Sequence, residues 1–153
     1  MNENQKLVEK FYAAFRKLDG KAMTECYHPE AHFSDAVFID LNGAEIGRMW
    51  RMLCAKGAGL RIELSNVQAT GSGVTAHWDV YYNFSATGRP VHNSIDARFE
   101  FRDRLIYRHH DEFSFYRWAR QALGPVGMLL GWTPLIRNKV RRTAASNLAG
   151  FTG

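Results

Sequence analysis

Two long alternating runs, Val74–Phe84 and Val91–Arg102, leave the middle of this chain little freedom. In the first, Val74, Ala76, Trp78, Val80, Tyr82 and Phe84 fall on one side, and Thr75, His77, Asp79, Tyr81 and Asn83 on the other. In the second, Val91, Asn93, Ile95, Ala97, Phe99 and Phe101 oppose His92, Ser94, Asp96, Arg98 and Glu100. A period of two means strands with one buried face. A two-residue turn at Thr87-Gly88 pairs Val74 with Phe101, Trp78 with Ala97, Tyr82 with Asn93 and, on the polar face, Asp79 with Asp96. A slip of one residue would turn every side chain to the wrong face, so the choice of face is well specified.

A third strand follows the turn at Asp103-Arg104. If that turn holds three residues, as in a hairpin with a bulge, Tyr107, His109, Asp111, Phe113 and Phe115 continue the apolar face. A two-residue turn would put His109 and Asp111 on the polar face instead. The inside placement buries three aromatic rings together, each worth about 1.5–3 kcal/mol, and is the one expected here. His110 and Glu112 then point outward.

Upstream, Leu7, Val8, Phe11, Tyr12, Phe15 and Leu18 recur at helical spacing and predict a helix over residues 4–18. Gly20 is placed to end it in the left-handed conformation. A short second helix stops before Pro29. Ala31–Val37 then alternate as a short strand with Phe33, Asp35 and Val37 on one face. A third helix over residues 43–56 carries Ile46, Met49, Trp50 and Leu53. Helix, helix, strand, helix and a four-stranded meander describe an α+β fold, a curved antiparallel sheet wrapped around helices.

The chain has 153 residues, 46% hydrophobic and 13% aromatic, enough for one core and the lining of a cavity. The net charge of +5 is concentrated in the last segment, around Arg137, Lys139, Arg141 and Arg142, and no nucleic-acid partner is inferred. No apolar run could span a bilayer and none follows a basic N-terminus, so a cytoplasmic protein with reduced Cys26 and Cys54 is expected. The histidines show no metal spacing and no glycine-rich phosphate loop follows a strand, so neither metal nor cofactor is expected.

Residues 4–115 resemble the nuclear transport factor 2-like superfamily, which includes ketosteroid isomerases, limonene epoxide hydrolase and the SnoaL-like polyketide cyclases. The resemblance rests on Leu18-Asp19-Gly20, Tyr27-His28-Pro29-Glu30-Ala31, Phe33-Ser34-Asp35, Phe99-Glu100-Phe101-Arg102-Asp103 and His109-His110-Asp111-Glu112-Phe113. It implies a cone-shaped α+β barrel over residues 1–115, with residues 116–153 as a C-terminal helical extension packed on the same domain. It also implies a homodimer through the outer sheet face. Asp35 falls where ketosteroid isomerases hold their general base. Their oxyanion tyrosine maps to Phe11, with Tyr12 beside it, and their protonated aspartate to Ala97. Asp111 falls where limonene epoxide hydrolase holds a catalytic aspartate, and its Arg-x-Asp pair has His77-Trp78-Asp79 as the nearest match. The chain thus keeps a carboxylate from each of two enzyme types and the full set of neither.

These residues give the candidate site: Asp35, Asp111 and His109 for catalysis, and Tyr12, Trp78, Tyr82, Asn93, Phe99 and Tyr107 for contact with a substrate. Asp35 could be a general base or could cap a loop. His109 and Asp111 could be a base and its orienting acid, or a core pair bonded to Tyr12, Tyr82 or Asn93. Asn93 could donate to a substrate oxygen or pair with Tyr82. Two carboxylates in one cone disfavour double ionisation, so one of them is expected to be protonated near neutral pH. The expected activity is that of a small isomerase, cyclase or hydrolase acting by carboxylate acid–base chemistry on a hydrophobic cyclic small molecule. The alternative is a non-catalytic binding or dimerising module. In the tail, Thr133-Pro134 caps an amphipathic helix that could cover the pocket, meet a partner or membrane surface, or pack on its own domain.

Overall fold

The computed structural model describes residues 1–153. Helices α1 (Glu3–Arg16) and α2 (Gly20–Glu25) precede strand β1 (Tyr27–Ser34), the short β2 (Leu41–Asn42) and helix α3 (Ala44–Ala55). Strands β3 (Arg61–Thr70), β4 (Gly73–Asn83), β5 (Pro90–Arg102) and β6 (Leu105–Glu112) follow. Helices α4 (Phe115–Leu123), α5 (Pro125–Leu130) and α6 (Pro134–Ala149) close the chain. One six-stranded sheet runs β2-β1-β6-β5-β4-β3. It is antiparallel except where β1 lies parallel to β6, and it curves round the N-terminal helices as an α+β cone.

The inward face is the one the alternation predicts. Val74, Ala76, Trp78, Val80, Ile95, Ala97 and Phe99 are all buried, against Phe11, Phe15 and Trp50 of α1 and α3. The register differs by two residues. Val74 pairs with Phe99, Trp78 with Ile95, Val80 with Asn93 and Tyr82 with Val91. The connection is a four-residue loop, Ser85–Gly88, closed where the Phe84 N–H donates to the Arg89 carbonyl at 2.9 Å. A shift of two leaves each side chain on its face, which is why alternation alone could not detect it. It also removes the expected clash of Asp79 with Asp96: Asp79 lies opposite Ser94, and His77 opposite Asp96.

The β5–β6 turn holds two residues rather than three. Asp103 and Arg104 both take positive φ, 53° and 64°, the twist that a two-residue hairpin favours. His109 and Asp111 face inward all the same, because the register shifts by one between Glu100↔Arg108 and Phe101↔Ile106, leaving Tyr107 as the extra residue of a bulge. Tyr107 is turned outward as a result. Its ring meets those of His28 and His32, centroids 5.6 Å away in each case, under the Arg102 guanidinium at 3.8 Å.

At the first helix junction Leu18 takes the positive φ expected of Gly20. Asp19 instead caps α2, accepting from the Ala22 N–H at 3.0 Å. Gly20 opens α2 where a Cβ would come within 2.8 Å of the Arg51 backbone. It is needed for the close approach of α3, not for its φ.

Candidate active site

The wide end of the cone opens into a cleft of about 1290 Å³. Trp78, Ile95, Phe113 and Trp118 supply much of its apolar wall, and both Asp35 and Asp111 face it. Residues of the last helix close one side: Ile136, Val140, Ala144 and Asn147 recur at helical spacing along the cavity face of α6.

Asp111 is buried, 2% exposed, at the end of a polar chain that runs through the core. The Trp50 indole N–H donates to the Tyr27 hydroxyl at 3.0 Å. That hydroxyl lies 2.6 Å from Nδ1 of His109, and Nε2 of His109 lies 2.8 Å from Oδ1 of Asp111. Since Tyr27 already accepts from Trp50, its own proton goes to Nδ1, and His109 then donates from Nε2 to the carboxylate. The Trp78 indole N–H adds a longer bond to the same Oδ1, 3.4 Å. His109 and Trp78 both meet Oδ1, leaving Oδ2 of Asp111 to the cleft. Phe33 and Phe99 pack on the His109 ring, centroids 4.9 and 4.2 Å away.

Asp35 lies just past β1, not within it. Its Oδ1 accepts from the backbone N–H groups of Val37 and Phe38, both at 2.7 Å, so it does close a local turn. It also faces the cleft. Burial pushes its carboxyl up to about 7; the two backbone N–H groups pull it back, the Asp111 charge adds to the rise and Arg141 opposes it.

The expected site residues therefore separate into three groups. Asp35, Asp111, Trp78, Tyr82 and Asn93 line the cleft. Asn93 does not pair with Tyr82, whose hydroxyl instead accepts from the Trp118 indole at 2.8 Å. His109, Phe99 and Tyr12 lie in the core and do not line the cleft; of the three only His109 bonds Asp111. The Tyr12 hydroxyl has no hydrogen-bond partner there. Tyr107 is outside the cone altogether because of the bulge. Tyr27 and Trp50, which complete the chain to Asp111, escaped the sequence reading. Tyr27 reaches His109 only because β1 pairs with the distant β6, and no local pattern announces that pairing.

On the convex face His77 meets Asp96 at 2.8 Å, and Asp79 accepts from Ser94 and lies against His92, also at 2.8 Å. Burial works against the Asp79 charge, but bonds from His92 and Ser94 and the nearby His77 hold its carboxyl below the usual range. The His77-Trp78-Asp79 segment thus sends its two polar side chains away from the cleft. No group of three His, Cys, Asp or Glu side chains is placed to hold a metal.

The SnoaL-like domain profile matches residues 8–109, two-thirds of the chain. The chain belongs to the SnoaL-like family. Solved structures place this SnoaL-like domain in the wider NTF2-like fold. An NTF2-like protein of unknown function from Burkholderia pseudomallei superposes with a TM-score of 0.68 at 14% identity, covering 79% of this chain and 98% of that one. A candidate polyketide cyclase from Xanthomonas campestris gives 0.65 at 20% identity, covering 78% and 96%. The LEH-like epoxide hydrolase of M. tuberculosis gives 0.63 at 20%, covering 84% and 96%. No functionally curated protein matches the sequence. At these identities the likeness is one of fold.

Proposed function

We propose that this SnoaL-like protein is a cofactor-independent enzyme, an isomerase, cyclase or hydrolase of a hydrophobic cyclic small molecule. The observation that carries this reading is the placing of two carboxylates, Asp35 and Asp111, on one apolar cleft. Asp111 is fixed from behind by His109, Tyr27 and Trp50, an orientation a general base requires. Its free Oδ2 would take a proton from an acidic C–H or a water. Asp35, pushed up to about 7, exchanges its proton near neutral pH and would return one to the product oxygen or leaving group. Asn93 stands on the same wall as a donor to a developing oxyanion. The same reading includes a homodimer through the convex face of β3–β6, which light scattering would detect.

The test uses cyclic ketones with acidic α-hydrogens and cyclic epoxides, screened for turnover and for binding by equilibrium titration. Asp111→Asn and Asp35→Asn should each lower kcat by about 100-fold or more, the range of a lost acid or base, with little change in affinity. Tight binding by the wild type with no turnover of any compound would make the cleft a ligand-holding module instead.

A further inference from the structure

Six large apolar side chains stand in solvent within ten residues at the α5–α6 corner: Val126, Met128, Leu129, Leu130, Trp132 and Leu135, each 44–70% exposed. Only Met1 and Ile39 are comparably exposed elsewhere. The corner is a built structure. The Tyr116 hydroxyl donates to the Met128 carbonyl at 2.9 Å, and the Trp132 indole N–H donates to Leu129 at 3.0 Å. Thr133 caps α6 through the Ile136 N–H. With its N–H bonded internally, Trp132 presents its apolar ring outward.

The segment that builds this corner carries charge of one sign. Residues 113–153 contain six basic residues, Arg117, Arg120, Arg137, Lys139, Arg141 and Arg142, and no Asp or Glu. Residues 1–112 hold 14 basic and 15 acidic residues, a net charge of −1. Arg120 lies against the Tyr116 ring at 5.8 Å, beside Met128, and Arg137 against Phe115 at 5.5 Å. Arg142 is exposed two turns along α6 from Leu135, on the same side. The result is an apolar tip with a cationic collar.

A second copy of the chain would bring like charge against like charge at this corner. An acidic protein would answer the collar but would also need a matching apolar groove for six protruding side chains. An anionic bilayer offers both partners at once, headgroups for the arginines and an apolar layer below them for the tip, with Trp suited to the boundary. We propose that the α5–α6 corner docks this protein peripherally on an anionic lipid bilayer. Val126 belongs both to the tip and to the cleft lining. Docking would therefore set the mouth of the cleft against lipid, an entry route for an apolar ligand that rests on the reading of the cleft above.

The experiment is flotation with phosphatidylcholine vesicles, with and without phosphatidylglycerol, at low and high salt. Binding should require phosphatidylglycerol and fall with salt. Leu129→Ser combined with Trp132→Ser should weaken it by about tenfold or more, and Arg120→Gln with Arg142→Gln should remove the preference for anionic lipid. Wild-type protein provides a readout free of substitutions. Trp50, Trp78 and Trp118 are buried, so quenching of the emission by brominated lipid reports Trp132. Absence of binding to anionic vesicles would overturn the proposal, as would unaltered binding by the serine variant. So would a wild-type dimer that the serine variant dissolves, which would make the corner an interface between copies. Binding of cyclic ligands in solution should be the same in the serine variant, which keeps a failed docking test separate from a failed assignment of the cleft.

Discussion

Asp35 reconciles two roles that its position in the sequence left open. It closes a local turn through Val37 and Phe38 and still presents a carboxyl oxygen to an apolar cleft. A carboxyl raised to about 7, against about 3.9 for a free aspartate, binds its proton more tightly in the folded state. The stability it contributes is complete below about pH 4 and fades as pH rises through about 7. Asn keeps the Oδ1 acceptor and carries no charge. Asp35→Asn should therefore match the wild type near pH 4 and exceed it at pH 8 by on the order of 2–4 kcal/mol in urea denaturation. A variant less stable at pH 8 would show that the Asp35 charge is a structural asset. Tyr27 should behave in the opposite way. Tyr27→Phe strands both the Trp50 indole N–H and Nδ1 of His109 in the core, and should cost about 2–3 kcal/mol. The two carboxylates were legible in the sequence because each interrupts an apolar face. The depth of His109, Phe99 and Tyr12 behind the cleft was not, since alternation says which face a side chain takes but not how far it lies from the opening.

Among the elements, β6 shows how a correct face can follow from an incorrect turn. The expected three-residue turn and the observed two-residue turn with a bulge at Tyr107 each add one residue, so both put His109 and Asp111 inside. Only the position of the extra residue differs, and that difference sends Tyr107 outside. Asp103 and Arg104 lack the glycine that this type of turn favours. Arg104, at φ 64°, is strained. Arg104→Gly should stabilise the fold by about 0.5–1 kcal/mol, the left-handed penalty less the added chain entropy, read as a rise in Tm. Gly127→Ala should go against the usual ranking of helix formers. Alanine ordinarily gains about 1 kcal/mol over glycine inside a helix, but here a Cβ would collide with the Ala119 carbonyl of α4. A lower Tm is expected, with α5 displaced. The sequence pattern announced neither helix α5 at Gly127 nor the neighbouring backbone.

On the scale of the whole molecule, hydrogen bonds fasten helix α6 to the cone at its middle and around its C-terminal end. Arg48 of α3 donates to the carbonyls of Leu148, in the last turn of α6, and Phe151, just beyond it, and Arg141 of α6 donates to the carbonyl of Ala36 beside Asp35. Arg48→Ala should raise amide hydrogen exchange through residues 143–153, leaving β4 and β5 as protected as before. Equal protection of α6 in the variant would mean that the remaining contacts, the packing of Leu148 and the Arg141 bond among them, hold the helix. The profile that defines the family ends at residue 109, yet α6 supplies a wall of the cleft. Asp111 lies two residues past that end, so the two carboxylates and the α6 wall of the cleft come from different stretches of the chain. Under the proposed reading, insertions or exchanges in the tail would reshape the room while the two acids keep their bearings, so one chemistry could be fitted to new molecules without being rebuilt.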